Sequence, residues 1–155
     1  MFDKVLVALD GSEHSERALE TAIQIAKKFR AKMTILHVYS VTVPAVIAPE
    51  PTTLTPAGVP VVTSAEVAKM VEAARMVGNR LLTDGEQKAK SANVRVETVL
   101  KEGNTVQEII ALAKEGEFDL IVIGARGISR IRELLMGSVS EGVIKNAHCP
   151  VLVVK

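Results

Sequence analysis

"FDLIVIGARGISRIRELLMGSVSEG" (Phe118–Gly142) runs an apolar segment into a stretch with four glycines. Its first seven residues read as a strand, and they have counterparts along the chain. "KVLVALD" (Lys4–Asp10) is short, β-branched and apolar on both faces, as a strand buried in a parallel sheet should be. "KMTILHVYS" (Lys32–Ser40), "VRVETVL" (Val94–Leu100) and "CPVLVVK" at the end of the sequence complete a set of five predicted strands.

Helical spacing fills the gaps between them. After Lys4–Asp10, Ser12 is placed as an N-cap, and Leu19, Ala22, Ile23 and Ala26 fall on one helical face. "TSAE" (Thr63–Glu66) has capping-box form and opens a long helix ending near Ala92, with Asp84-Gly85 marking a place for a kink or break. "NTVQ" (Asn104–Gln107) opens another, with Val106, Ile109, Ile110 and Ala113 on one stripe. "SVSEGVIKNA" predicts a short fourth helix. Strands alternating with helices imply an α/β fold. Right-handed crossovers make a doubly wound, five-stranded parallel sheet with helices on both faces the commonest solution.

One segment breaks the pattern. "VTVPAVIAPEPTTLTPAGVP" carries five of the six prolines and almost no charge. It is neither a helix nor a central strand. At about twenty residues it exceeds the usual loop length, so residues 41–62 are expected to form a loop excursion, either a lid or a disordered segment. Sheet elements lie on both sides of it, so residues 1–155 are expected to form a single domain.

Composition narrows the function classes. Apolar residues make up 48% and charged residues 24% of the 155, the balance of a soluble globular domain. A formal net charge of +1 gives no reason to expect nucleic acid or an anionic membrane as partner. At 3% aromatic residues, a stacking platform for single strands is not expected. The lone Cys149 excludes an internal disulfide framework and metal sites built on several cysteines. No apolar run approaches the ~18 residues of a membrane span. No charged leader precedes the first strand, and a cytoplasmic location is the expectation.

The glycines have two readings. In a doubly wound sheet, ligands bind beyond the carboxyl ends of the strands where strand order reverses. If the strands ending at Asp10 and Gly124 flank that reversal, both residues face one crevice. Gly124 and Gly127 would then give a tight turn and close backbone approach. Gly137-Ser138 meets a helix start, where first-turn N–H groups suit a phosphate, and the hydroxyls of Ser138 and Ser140 are candidate donors. "SVSE" (Ser138–Glu141) has capping-box form. Equally, Gly124 ends a strand, Gly127 makes a turn and Ser138 caps its helix with no ligand. Neither a G-x-x-x-x-G-K-[ST] loop nor a G-x-G-x-x-G turn after the first strand is present, and spacing alone does not choose.

Taken in order, "KVLVALDGSEHSERAL", "ILHVYS" and "FDLIVIGARG…LLMGSVSEGVIKNAHCPVLVVK" resemble the universal stress protein family along nearly the whole chain. Gly124, Gly127, Gly137 and Ser138 match that family's G-x2-G-x9-G-[ST] signature, which marks its ATP-binding branch. The resemblance implies an adenine-nucleotide α-hydrolase-like sheet of order 3-2-1-4-5. It places phosphate contacts on Gly124, Gly127, Gly137, Ser138, the backbone of Val139, and Ser140. It puts Asp10 near the ribose or a phosphate-bound Mg²⁺, the backbone of Val38 at the adenine edge, and Ala8 and Leu9 in the same pocket. Arg126, between the first two glycines, either reaches a phosphate or is solvated. Family members commonly dimerise through the last strand, which here predicts a homodimer through Pro150–Lys155.

No catalytic set stands out. Phosphoryl transfer needs a group to orient the nucleophile and cations to offset charge. His14, His37 and His148 are scattered, Cys149 has no recognisable partner, and Glu13 or Glu133 would need geometry that sequence does not give. The expected function is an ATP-binding stress-response regulator that switches with its nucleotide state, with at most slow or partner-stimulated hydrolysis and an unidentified protein partner. The alternatives are an enzyme that couples an acid to AMP, faintly echoed in "LDGSEHS", and a dimeric scaffold that never sees nucleotide.

Overall fold

The structure is a computed structural model that describes residues 1–43, 47–48, 62–128 and 136–155. β1 (Lys4–Ala8) lies at the centre of a parallel sheet because Val5, Leu6 and Val7 are apolar on both faces, and all three are fully buried. α1 (Glu13–Phe29) follows. The Ser12 side chain accepts from Ser15 N–H at its start, and acidic Glu13 and Glu16 oppose basic Lys27 and Lys28 along its dipole. Its predicted stripe is its buried face, and Leu19 alone contributes about 2–3 kcal/mol by the area it removes from water.

β2 (Lys32–Tyr39) pairs in parallel with β1, from Lys4 opposite Lys32 to Ala8 opposite Leu36. Two short strands that sequence did not anticipate, β3 (Ile47–Ala48) and β4 (Val62–Thr63), form a separate parallel pair. Residues 44–46 and 49–61 of the proline-rich stretch, and with them the question of a lid, lie outside the described residues. α2 (Ser64–Ser91) opens with the capping box between Thr63 and Glu66. It is continuous through Asp84-Gly85, where a kink or break was expected. A Cβ on buried Gly85 would lie 3.1 Å from Ile35 and 3.2 Å from Leu9, so this glycine seats the helix on the sheet.

β5 (Val96–Glu102) starts two residues later than Lys-free "VRVETVL" suggests. Asn93 at φ 61° and the bond from Val94 N–H to Ala89 O spend the preceding residues on closing α2. α3 (Thr105–Glu115) is capped by Asn104, whose side chain accepts from Gln107 N–H. β6 (Leu120–Gly124), α4 (Ser138–Asn146) and β7 (Val151–Val154) complete the described elements.

The sheet runs β5-β2-β1-β6-β7. Counting only its five strands along the chain, the order is 3-2-1-4-5. α1 and α2 cover one face through Val5, Val7, Met33, Ile35 and Val122. On the other face, α3 and α4 pack Ile109, Ala113 and Val143 against Leu6, Leu36, Ile121 and Ile123. The chain winds outward from β1 to β2 and β5, then returns to β6 beside β1. Strand order therefore reverses between β1 and β6, and a crevice opens beyond Ala8 and Gly124. Among the described residues no helix is long and apolar enough to cross a membrane.

Candidate functional site

A cavity of about 330 Å³ occupies this crevice, within the size range of small-molecule sites. It is lined by Ala8, Leu9 and Asp10 from the end of β1, Val38 from β2, Gly124 from β6, and Arg126, Gly127, Gly137, Ser138, Val139 and Ser140 beyond it. The structure thus brings all eleven sequence-predicted residues to one place. Among the described residues six more line it: Ser15, Thr105, Ile109, Ile123, Ile128 and Met136. Thr105 carried a signal that was passed over, since it opens the helix after β5 and so also lies beyond a carboxyl strand end.

The β1–α1 turn owes its shape to side-chain oxygens. Asp10 Oδ1 accepts from Ser12 N–H at 2.9 Å, while Gly11 takes φ +82°, a conformation that glycine adopts without strain. Ser12 Oγ accepts from Ser15 N–H at 3.1 Å and donates to the Arg126 carbonyl at 3.3 Å. The turn is thereby fastened to the segment leaving β6.

The glycines divide the labour differently from the expectation. A Cβ on Gly124 would sit 2.8–2.9 Å from the backbone and Cβ of His14 and from Ser15 N, so this glycine admits α1 against the end of β6. At Gly127 a Cβ would lie 2.6 Å from Asp10 Oδ2, and the residue is exposed on the crevice. A Cβ on Gly137 would make ordinary van der Waals contact with Ala125 O at 3.5 Å, Arg126 Cα at 3.6 Å and Gly127 N at 3.7 Å, so this position has room for a side-chain carbon without a clash. A Cβ on Gly142 would lie 2.9 Å from Val106, so this glycine serves the packing of α3 on α4.

α4 departs from the sequence reading. Ser138 does not cap it: Gly137 is the N-cap, and no side chain fills that role. The N–H of Gly137 is held by Ala125 O at 2.8 Å, which fixes Gly137 in the extended conformation a cap requires and puts Ser138 inside the helix. Ser140 is not a free hydroxyl donor either, because its Oγ proton serves the carbonyls of Ala125 at 3.0 Å and Gly137 at 2.9 Å. The first bond of the helix runs from Glu141 N–H to Gly137 O. Among the described residues the N–H groups of Ser138, Val139 and Ser140 have no carbonyl partner one turn back, and these three residues line the cavity. α1, α2 and α3 each carry a side-chain cap; the positive end of α4 has none among the described residues.

The remaining titratable groups lie elsewhere. His14 is half-buried against Gly124, and its Nδ1 is buried with no partner among the described residues. His148 is exposed and His37 is buried. Burial, reinforced by the Asp119 charge, pushes the Cys149 thiol up, away from the thiolate that a nucleophile needs. Glu13 is exposed and paired with Arg17, and Glu133 lies outside the described residues. Among the described residues no three His, Cys, Asp or Glu side chains gather as a metal site.

The universal stress protein family model matches residues 1–155. The chain belongs to the universal stress protein family. As such it is 37% identical to universal stress protein YxiE of Bacillus subtilis over 155 residues, all of both chains. Its fold is that of universal stress protein UspA from Lactobacillus plantarum, with a TM-score of 0.82, 24% identity and 99% and 98% of the two chains covered. It is also similar to a universal stress protein solved in complex with cAMP. There the identity is 29%, the TM-score 0.68, and the coverage 99% of this universal stress protein and 97% of the other.

Proposed function

We propose that this universal stress protein binds an adenine nucleotide, ATP, in the β1–β6 crevice and acts as a cytoplasmic nucleotide-dependent regulator of a protein partner. The observation that carries this reading is the N-terminus of α4, which no side chain caps among the described residues and whose opening residues Ser138, Val139 and Ser140 line the cavity beside Gly137. Such an end favours a phosphate both by hydrogen bonds and by its dipole. The phosphates would lie along Gly127 and Ser138–Ser140, with the Arg126 guanidinium offsetting their charge. The base would take the apolar end, among Ala8, Leu9, Val38, Ile109 and Ile123. The relative solved with cAMP supports an adenine nucleotide in this family.

Mg²⁺ fits as an ion brought with ATP. Asp10 is the only carboxylate lining the cavity among the described residues, and one of its oxygens already accepts from Ser12 N–H. The ion would be held mainly by phosphate oxygens and water, with Asp10 Oδ2 as the protein's contribution. The acid-activating alternative loses support in the β1–α1 turn. Ser12 Oγ there accepts from Ser15 N–H, so the start of α1 is already capped.

Melting the protein with and without millimolar ATP and Mg²⁺ tests the reading. A ligand held only by the native state raises the midpoint, by about 2.7 kcal/mol of stability at a hundredfold excess over Kd. An unchanged midpoint would favour the nucleotide-independent scaffold, and release of pyrophosphate the acid-activating enzyme.

The proposed assembly is a homodimer through β7. Among the described residues this strand pairs with β6 on one side only, and Val151–Val154 are all half-exposed. An apolar edge of this kind pairs with a copy of itself in a two-fold contact. Light scattering at micromolar concentration should return twice the 16.6 kDa chain mass; a monomer mass overturns the assignment.

A further inference from the structure

We propose that His37 is a positioning residue for the nucleotide pocket, acting through the Leu9–Asp10 peptide; this rests on the nucleotide reading above and deepens it. β1 ends at Ala8, yet the two residues after it, Leu9 and Asp10, line the cavity as Ala8 does. Leu9 N–H still bonds to Leu36 O at 2.9 Å. The Leu9 carbonyl, one step further on, is held by a side chain: His37 Nδ1 lies 2.7 Å from it. A carbonyl only accepts, so Nδ1 carries the proton and donates.

The same peptide plane carries Asp10 N–H, whose partner is Ser15 Oγ at a longer 3.3 Å. His37 is thus the tighter of the two holds on that plane, and rotation of the plane would carry the Asp10 carboxylate with it. The ring has little room to move away. α2 passes so close that a Cβ on Gly78 would meet His37 Cδ2 at 2.6 Å and Leu100 at 2.7 Å. The cavity wall built from β1 is therefore pinned at both ends, by His37 to the Leu9 carbonyl and by Ser12 to the Arg126 carbonyl.

Side-chain geometry supplies the test. Asparagine carries an amide nitrogen the same number of bonds from Cα as Nδ1, glutamine one bond further, and leucine none. In calorimetric titration with Mg-ATP, His37→Leu should raise Kd about tenfold, the scale of one lost buried hydrogen bond. His37→Asn should stay within about threefold of the unmutated protein, and His37→Gln should bind like His37→Leu. Rescue by asparagine is what a merely space-filling histidine would not show, since asparagine fills the site worse than leucine. Equal Kd for His37→Leu and the unmutated protein overturns the proposal, as does equal loss in His37→Asn and His37→Gln. The second comparison stands even if His37→Leu fails to fold. No ATP binding by the unmutated protein would instead fail the nucleotide reading. Amide exchange at Asp10 in the ligand-free variants then decides the positioning role: faster exchange in His37→Gln than in His37→Asn supports it, and equal rates overturn it.

Discussion

Gly124→Ala should destabilise the fold by about 2–3 kcal/mol and lower the melting midpoint by about 5–10 °C, measured by calorimetry without ligand. The added Cβ would meet His14 C at 2.8 Å and His14 Cβ and Ser15 N at 2.9 Å. Most of these atoms are backbone, and none is the yielding tip of a side chain. They belong to the first turn of α1, which Ser12 caps and Ser15 Oγ ties back to the Ser12 carbonyl. To make room, the helix would have to lift from the sheet, opening the seam between the core and the crevice. Gly137→Ala is the control, because its new Cβ would have 3.5 Å of clearance and should leave the midpoint nearly unchanged. A Gly124→Ala protein that melts with the unmutated one would show that the close approach of α1 is not structural.

Gly127→Val should have the opposite profile, with stability nearly kept and ATP affinity lost by about a hundredfold or more. Gly127 is exposed, and among the described residues its new Cβ would conflict only with Asp10 Oδ2, at 2.6 Å. A carboxylate tip moves readily, so the fold is spared. The site is not: Asp10 is driven from its place, and the branched side chain stands between the Gly127 backbone and any phosphate. Two interactions with a charged ligand are removed together, each of order 1.5–3 kcal/mol. Isothermal titration checks the result, and an unchanged Kd would sink the assignment of phosphate contacts to this loop.

Much of this was legible in the sequence because local chemistry and tertiary context agree. Val5–Val7 need burial on both faces, and only a central parallel strand supplies it. Ser12, Thr63 and Asn104 each precede a periodic apolar stripe and each caps its helix. The failures share a cause, which is that a distant contact decides. Ser138 looked like a cap until Ala125 O, a residue on the far side of the signature loop, set Gly137 in that place. Gly85 looked like a break because its role is contact with Ile35 and Leu9, far away along the chain. The glycines of the signature were found as a set, but their separate tasks were not. One packs a helix, one clears a carboxylate, and one serves as the N-cap of α4.

The missing cap of α4 has a dynamic meaning. A helix of nine residues is marginal in water without help, and α4 lacks the side chain that would close its first turn. An anion at Ser138–Ser140 supplies that closure from outside the chain. The helix then reports on its own ligand, with the protection of its first amides against solvent exchange rising as the crevice fills. Because α4 leads directly into β7, the strand with a free edge, the same stiffening reaches the place where a second copy of the chain would dock.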